Sequence, residues 1–182
     1  MNALLFLAAI AAALGALSGV AVERTDVEAL ARMLRSEVGS GRSPALELER
    51  LAVGGCARNK AIETQQSILD LLTGGTRQWG RQSRGRYAST VIEPDINDWA
   101  VAEGIIRGGV DFANGATHYF HPGTQDLLFA RGEIRRNSSQ VIAEWTGTDR
   151  LYRGGAREVS VRGLDPARIM FFGPPEGFVA NA

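Results

Sequence analysis

Apolar and polar positions divide this chain into a charge-free opening and a body of short amphipathic segments. Ala3 to Val22 reads ALLFLAAIAAALGALSGVAV, with no charged side chain. At about 1.5 Å per residue, a helix of that length reaches across the hydrocarbon core of a bilayer. A cleaved signal peptide fits the small residues before candidate cuts after Ser18 or Ala21, but no Lys or Arg precedes the apolar run to form a positive n-region. An uncleaved or releasable anchor fits the length. The Ala/Gly content makes such an anchor only mildly hydrophobic, and Glu23, Arg24 and Asp26 give little orientation signal. A helix buried in a larger assembly is the third reading. All three point to an export, membrane or virion context, so residues 1–24 are set apart from a folded body over 25–182.

That body opens with Val27, Leu30, Ala31, Leu34 and Val38 at helical spacing. Thr25 and Glu28 before them are spaced as a capping box, and Gly39 and Gly41 end the run. Ser43-Pro44 reads as an N-cap with proline at the first helical position. Leu48, Leu51, Ala52, Gly55 and Asn59 follow on one helix. A short helix starts at Ser67 and stops at Gly74-Gly75. Thr76 to Thr90 is polar and glycine-punctuated, a loop or β-like excursion. Asp95 and Asp98 cap another helix, carried by Trp99, Ala102 and Ile106 to Gly108-Gly109. Asn114-Gly115 is a turn signal ahead of an aromatic run stopped by Pro122. Beyond it the pattern suggests a helix near Ser139 to Trp145 and strands at Val159–Val161 and Ile169–Phe172. The class is α+β, mostly helical.

Charge and composition narrow the partners. The 20 basic and 20 acidic residues cancel, leaving no global field to gather nucleic acid. Lys60 is the only lysine, so nearly every cation is an arginine, suited to bidentate contacts. Cys56 is the only cysteine, which excludes an intrachain disulfide and a thiolate metal cluster. It sits among small residues with no neighbouring histidine, as a buried inert thiol would. Gly54-Gly55 beside it marks close helix–helix approach rather than phosphate binding, and neither a nucleophile elbow nor a P-loop is present.

Glu37 is the carboxylate with an unusual address, on the margin of the first apolar face and just before two glycines. It is either a solvated charge on a last helical turn or a general acid over a cleft. The negative end of a helix macrodipole favours a protonated carboxyl, the form a general acid needs. Glu47 and Glu49 look like exposed helix positions, and Asp95 and Asp98 like caps. His118 and His121 form H-x-x-H, but zinc hydrolases need about three protein ligands, so structural or substrate-contacting histidines are expected. Trp79, Arg81, Arg84, Arg86 and Tyr87 interleave aromatics with arginine. Such a loop suits sugar rings or plain solvated surface, and packing and ligand contact both fit Tyr87.

In order along the chain, ALARMLRSEVGSG (Ala29 to Gly41), LAVGGCARNKA (Leu51 to Ala61), GRYAST (Gly85 to Thr90) and NGATHYFHP (Asn114 to Pro122) resemble the SleB-like, spore-cortex-lytic family of cell wall hydrolases. The flavour is that of the phage or prophage branch. The resemblance covers Val27 to Pro122, so 27–122 would be the family-like core and 123–182 a C-terminal extension whose Asp165–Gly173 stretch closes the fold as a strand or docks on a partner. It implies a lysozyme-like, lytic-transglycosylase-like catalytic domain that cuts peptidoglycan between N-acetylmuramic acid and N-acetylglucosamine, with no cofactor. Glu37 matches the family's catalytic glutamate. Tyr87, Ser89 and Thr90 match its cleft loop, and Asn114, Gly115, Ala116, Tyr119 and Phe120 its second cleft wall, with His118 at a variable position of that wall.

The resemblance implies glycan strands as partner and residues 3–22 as a tether to a membrane or a virion. The enzyme would act as an endolysin or during genome entry, exported or anchored facing the cell wall, or packaged. A zinc-dependent N-acetylmuramoyl-L-alanine amidase and a non-catalytic virion or envelope component remain the alternatives.

Overall fold

A computed structural model of the chain describes residues 24–73, 93–108, 110–123, 130 and 155–177. The apolar segment Ala3 to Val22, the loop bearing Tyr87, Ser89 and Thr90, and the expected helix near Ser139 to Trp145 lie outside the described residues. Helices α1 (Arg24–Val38), α2 (Pro44–Thr64), α3 (Ile68–Thr73) and α4 (Ile96–Gly108) precede three short strands, β1 (His118–Phe120), β2 (Arg157–Val159) and β3 (Met170–Gly173). The described part therefore mixes helices and strands, about half of it helical, which is compatible with an α+β class. Among the described residues no helix is long and apolar enough to cross a membrane.

The helix ends follow from their side chains. Ser43 has extended backbone and its hydroxyl accepts from the Leu46 N–H at 3.2 Å, with Pro44 opening α2. The Ser67 hydroxyl accepts from Asp70 N–H at 3.0 Å at the start of α3. At α4, Asp95 accepts from the N–H groups of Asn97 and Asp98 while Asp98 accepts from that of Asp95, a reciprocal cap. α1 differs from expectation: it already begins at Arg24, and Glu28 turns forward to Arg32 at 2.6 Å. Asp26 accepts from the Leu69 N–H at 2.8 Å, so a first-turn carboxylate of α1 satisfies an orphan amide of α3.

Leu30, Met33 and Leu34 of α1 meet Leu71 and Leu72 of α3 and Ile105 of α4 in one apolar core. α2 runs through the middle, buried without interruption from Glu49 to Ala57. β3 is the central strand, antiparallel to both neighbours. Tyr119, Phe171 and Val159 stand in one register row; Phe171 and Val159 belong to the helix-facing core and half-buried Tyr119 packs against it, while Phe120 and Phe172 stack at 5.6 Å on the opposite face. This is the period-2 alternation of a strand. The Asp165–Gly173 stretch thus supplies the middle of the sheet.

Candidate active site

Glu37 lies half-buried on the last turn of α1. The helix stops because Gly39 takes φ +86° and returns its N–H to the Arg35 carbonyl at 3.1 Å. A left-handed residue donating back by four positions is the glycine-ended cap that such a conformation favours. The chain then crosses Ser40 to Gly41 before α2.

Arg50 holds that crossing. Its side chain is 1% exposed and its guanidinium makes four bonds. Nη2 donates to the carbonyls of Gly39 and Gly41 at 2.6 and 2.8 Å. Nη1 donates to Glu47 at 3.0 Å and Nε to Asp98 at 3.2 Å. Asp98 is fully buried and also pairs with Arg35 Nε at 3.0 Å, while Arg35 Nη2 reaches Asp95 at 3.0 Å. Burial holds the Asp98 carboxyl above its usual range against the pull of its N–H bond and both arginines. Burial acts upward on Asp95 too, yet the N–H groups of Asp98 and Asn97, with Arg35 and Arg42, hold it below the ordinary value. Asp98, read from the sequence as a cap, is also the anion between two arginines.

A second anchored element is the turn Ala113 to Ala116, closed by the Ala116 N–H on the Ala113 carbonyl at 3.0 Å. Asn114 and Gly115 have φ of 51° and 79°, as an Asn-Gly pair readily adopts. Asp111 accepts from the N–H groups of Ala113 and Gly115. Asn59 of α2 donates to Asp111 at 2.9 Å and to the Ala116 carbonyl at 3.0 Å. The helix end and the turn are thus fixed to the same helix. Their anchors, Arg50 and Asn59, are nine residues and about 13 Å apart along α2, on different faces.

The sequence-derived wall residues divide by exposure. Asn114 and Gly115 are exposed and Tyr119 is half-buried, whereas Ala116, His118 and Phe120 are buried. His118 bonds Thr117 through Nδ1 at 2.9 Å, and burial, helped by Lys60, pushes its pKa down to about 3. His121 points elsewhere. Its Nδ1 donates to the Arg168 carbonyl at 3.2 Å, and its Nε2 lies 3.9 Å from Glu49. Among the described residues no three His, Cys, Asp or Glu side chains are grouped to hold a metal ion.

Glu47 and Glu49 correct the sequence reading. Glu47 is half-buried against Arg50, and Glu49 is 1% exposed, accepting from Arg168 at 2.6 Å. The turn leading into β3 covers a face of α2 expected to meet water. A signal was available: Glu49 shares helical spacing with Ala52, Val53 and Cys56. Arg50 likewise aligns with Val53 and Ala57. Cys56 is buried as expected, and burial pushes its thiol well up. Compared with family models, curated proteins and solved structures, the chain matches none.

Proposed function

We propose that this chain is a lysozyme-like enzyme that cleaves peptidoglycan glycan strands as a lytic transglycosylase, with Glu37 as its catalytic carboxyl. The observation that carries the reading is the setting of Glu37: half-buried on a helix end whose following residues are held by a buried arginine. A general acid needs that fixed placement. In the reaction, the Glu37 carboxyl gives its proton to the glycosidic oxygen between N-acetylmuramic acid and N-acetylglucosamine. The resulting carboxylate takes the proton of the muramic C6 hydroxyl as that oxygen closes on C1. The bond to the leaving sugar breaks, a 1,6-anhydro ring forms, and no water is consumed.

One carboxyl suffices for this route, whereas ordinary glycosidases use two. Several described carboxylates are held by other partners, which fits a one-carboxyl route: Glu47 and Asp98 by Arg50, Asp95 by Arg35, Glu49 by Arg168, Asp111 by backbone N–H groups and Asn59. Asn114, Gly115 and Tyr119 are the wall residues with surface to offer a sugar, and Ala116, His118 and Phe120 back them from inside. The charge-free segment 3–22 would put the enzyme at a membrane, outside the cell or in a virion, for lysis or genome entry. The amidase alternative loses support from the divergent settings of His118 and His121.

The full chain and its Glu37→Gln variant, incubated with purified peptidoglycan, decide the matter by mass spectrometry of the products. The expected result is 1,6-anhydro-muropeptides from the wild type and a rate lower by about 10²–10⁴-fold in the variant. Reducing-end sugars instead would make the enzyme a hydrolase. Cleavage of the amide to the peptide stem would move the amidase reading ahead. Binding to glycan without any product would leave a wall-binding virion or envelope component.

A further inference from the structure

We propose that Arg50 is a positioning residue for Glu37, holding the helix end at the angle from which its carboxyl reaches the scissile oxygen; this rests on the transglycosylase reading. The chain after Glu37 carries two carbonyls that leave the helix pattern, those of Gly39 and Gly41, and one guanidinium nitrogen binds both. A planar, always-charged fork presents paired donors in fixed geometry, which a single ammonium cannot reproduce. The fork is itself fixed. Nε meets Asp98 and Nη1 meets Glu47, and Asp98 is tied back to α1 through Arg35, two residues before Glu37. A closed loop results: Arg35 to Asp98 to Arg50 to Gly39, whose N–H returns to the Arg35 carbonyl. The loop spans α1, α2 and α4 and encloses the turn of helix that carries Glu37.

Such a ring does more than stabilise. Arg50 touches the backbone that leaves Glu37, so a change there turns the carboxyl without emptying the core. Misplacing a catalytic group by about 1 Å costs on the order of 10²-fold in rate. Binding of the glycan at the wall residues would be untouched, so the effect belongs in kcat and not in KM.

Arg50→Lys keeps the charge but cannot reach both carbonyls, Glu47 and Asp98 together. Gly39→Ala approaches the same turn from the surface, where a Cβ meets nothing within 4 Å but φ of +86° is strained for alanine. Arg168→Met serves as a control, because it breaks a different, half-buried ion pair, with Glu49, that shares no bond with this ring. Turnover is followed as release of anhydro ends, with hydrogen exchange at the Gly39 amide. The expected result is a kcat lower by about 10–100-fold in both Arg50→Lys and Gly39→Ala, a KM within about two-fold, and faster exchange at Gly39. Arg168→Met should keep the wild-type kcat below its unfolding temperature. Should the wild type cut glycan while both variants match its kcat, Arg50 has no positioning role. Equal losses in the variants and in Arg168→Met would reduce Arg50 to a stability residue. A wild type that releases no anhydro ends removes the transglycosylase reading itself, and the positioning role falls with it.

Discussion

His118 hydrogen-bonds Thr117, is 5% exposed and feels the charge of Lys60, so a proton added to its ring enters an interior already unfavourable to it. Its pKa near 3 in the folded chain compares with about 6.5 in an unfolded one. The unfolded chain therefore binds the proton more readily between those values. This contribution to stability is complete above the unfolded value and is lost as pH falls from about 6.5 towards 3. At pH 5 the loss is about 2 kcal/mol, large against the 5–15 kcal/mol typical of a domain. Urea unfolding at pH 7.5 and pH 5 checks this in the wild type and His118→Gln. The variant, lacking the titrating ring, should lose about 2 kcal/mol less over that interval. Equal losses would mean that His118 accepts a proton in the folded state.

Among the elements, α2 shows which parts of the fold could be read from sequence. Its start was legible, since Ser43 and Pro44 act locally and need no partner. The close approach at Gly54-Gly55 was legible too: a Cβ on Gly54 would lie 2.4 Å from Cδ1 of Ile105 on α4, and one on Gly55 would lie 3.2 Å from the Ala113 amide nitrogen. The spacing of Glu49 and Arg50 with buried apolar positions marked their side of the helix as covered, but not what covers it: their partners are Arg168, 119 positions after Glu49, and Asp98, 48 after Arg50. Long-range pairs of that kind leave no periodic trace. The helix end that carries Glu37 and the turn at Asn114-Gly115 were legible because both are local signals; the Arg50 ring joining α1 to α4 was not.

Gly54 tests the helix contact. Alanine there gains helix propensity of about 1 kcal/mol but drives a methyl into Ile105, and overpacking costs about 1–3 kcal/mol. We expect Gly54→Ala to lower stability by up to about 2 kcal/mol net of that gain. Adding Ile105→Val, which removes the clashing Cδ1, should restore most of it. If thermal unfolding finds the double variant no better than the single, the obstruction is not Ile105.

For the molecule as a whole, the C-terminal stretch completes the body, because β3 lies between β1 and β2 and its Phe171 enters the core shared by the helices. Burial of Phe171 drives that closure, and the pair Glu49–Arg168 fixes where it docks. The two charges are unequal in setting, Glu49 at 1% exposed and Arg168 at 53%. Removing the arginine strands a carboxylate in the interior; removing both leaves an apolar contact. Breaking one partner of a fully buried pair costs about 3–5 kcal/mol, and water reaching the vacated arginine site should reduce this to about 2–3 kcal/mol for Arg168→Met. Replacing the whole pair by apolar residues of similar volume is often neutral, so Glu49→Met with Arg168→Met should recover most of the loss. Urea unfolding of the wild type, both single variants and the double gives the coupling directly. A double variant as unstable as the sum of the singles would show that the charges dock independently, leaving Phe171 and the strand hydrogen bonds to set the register by themselves.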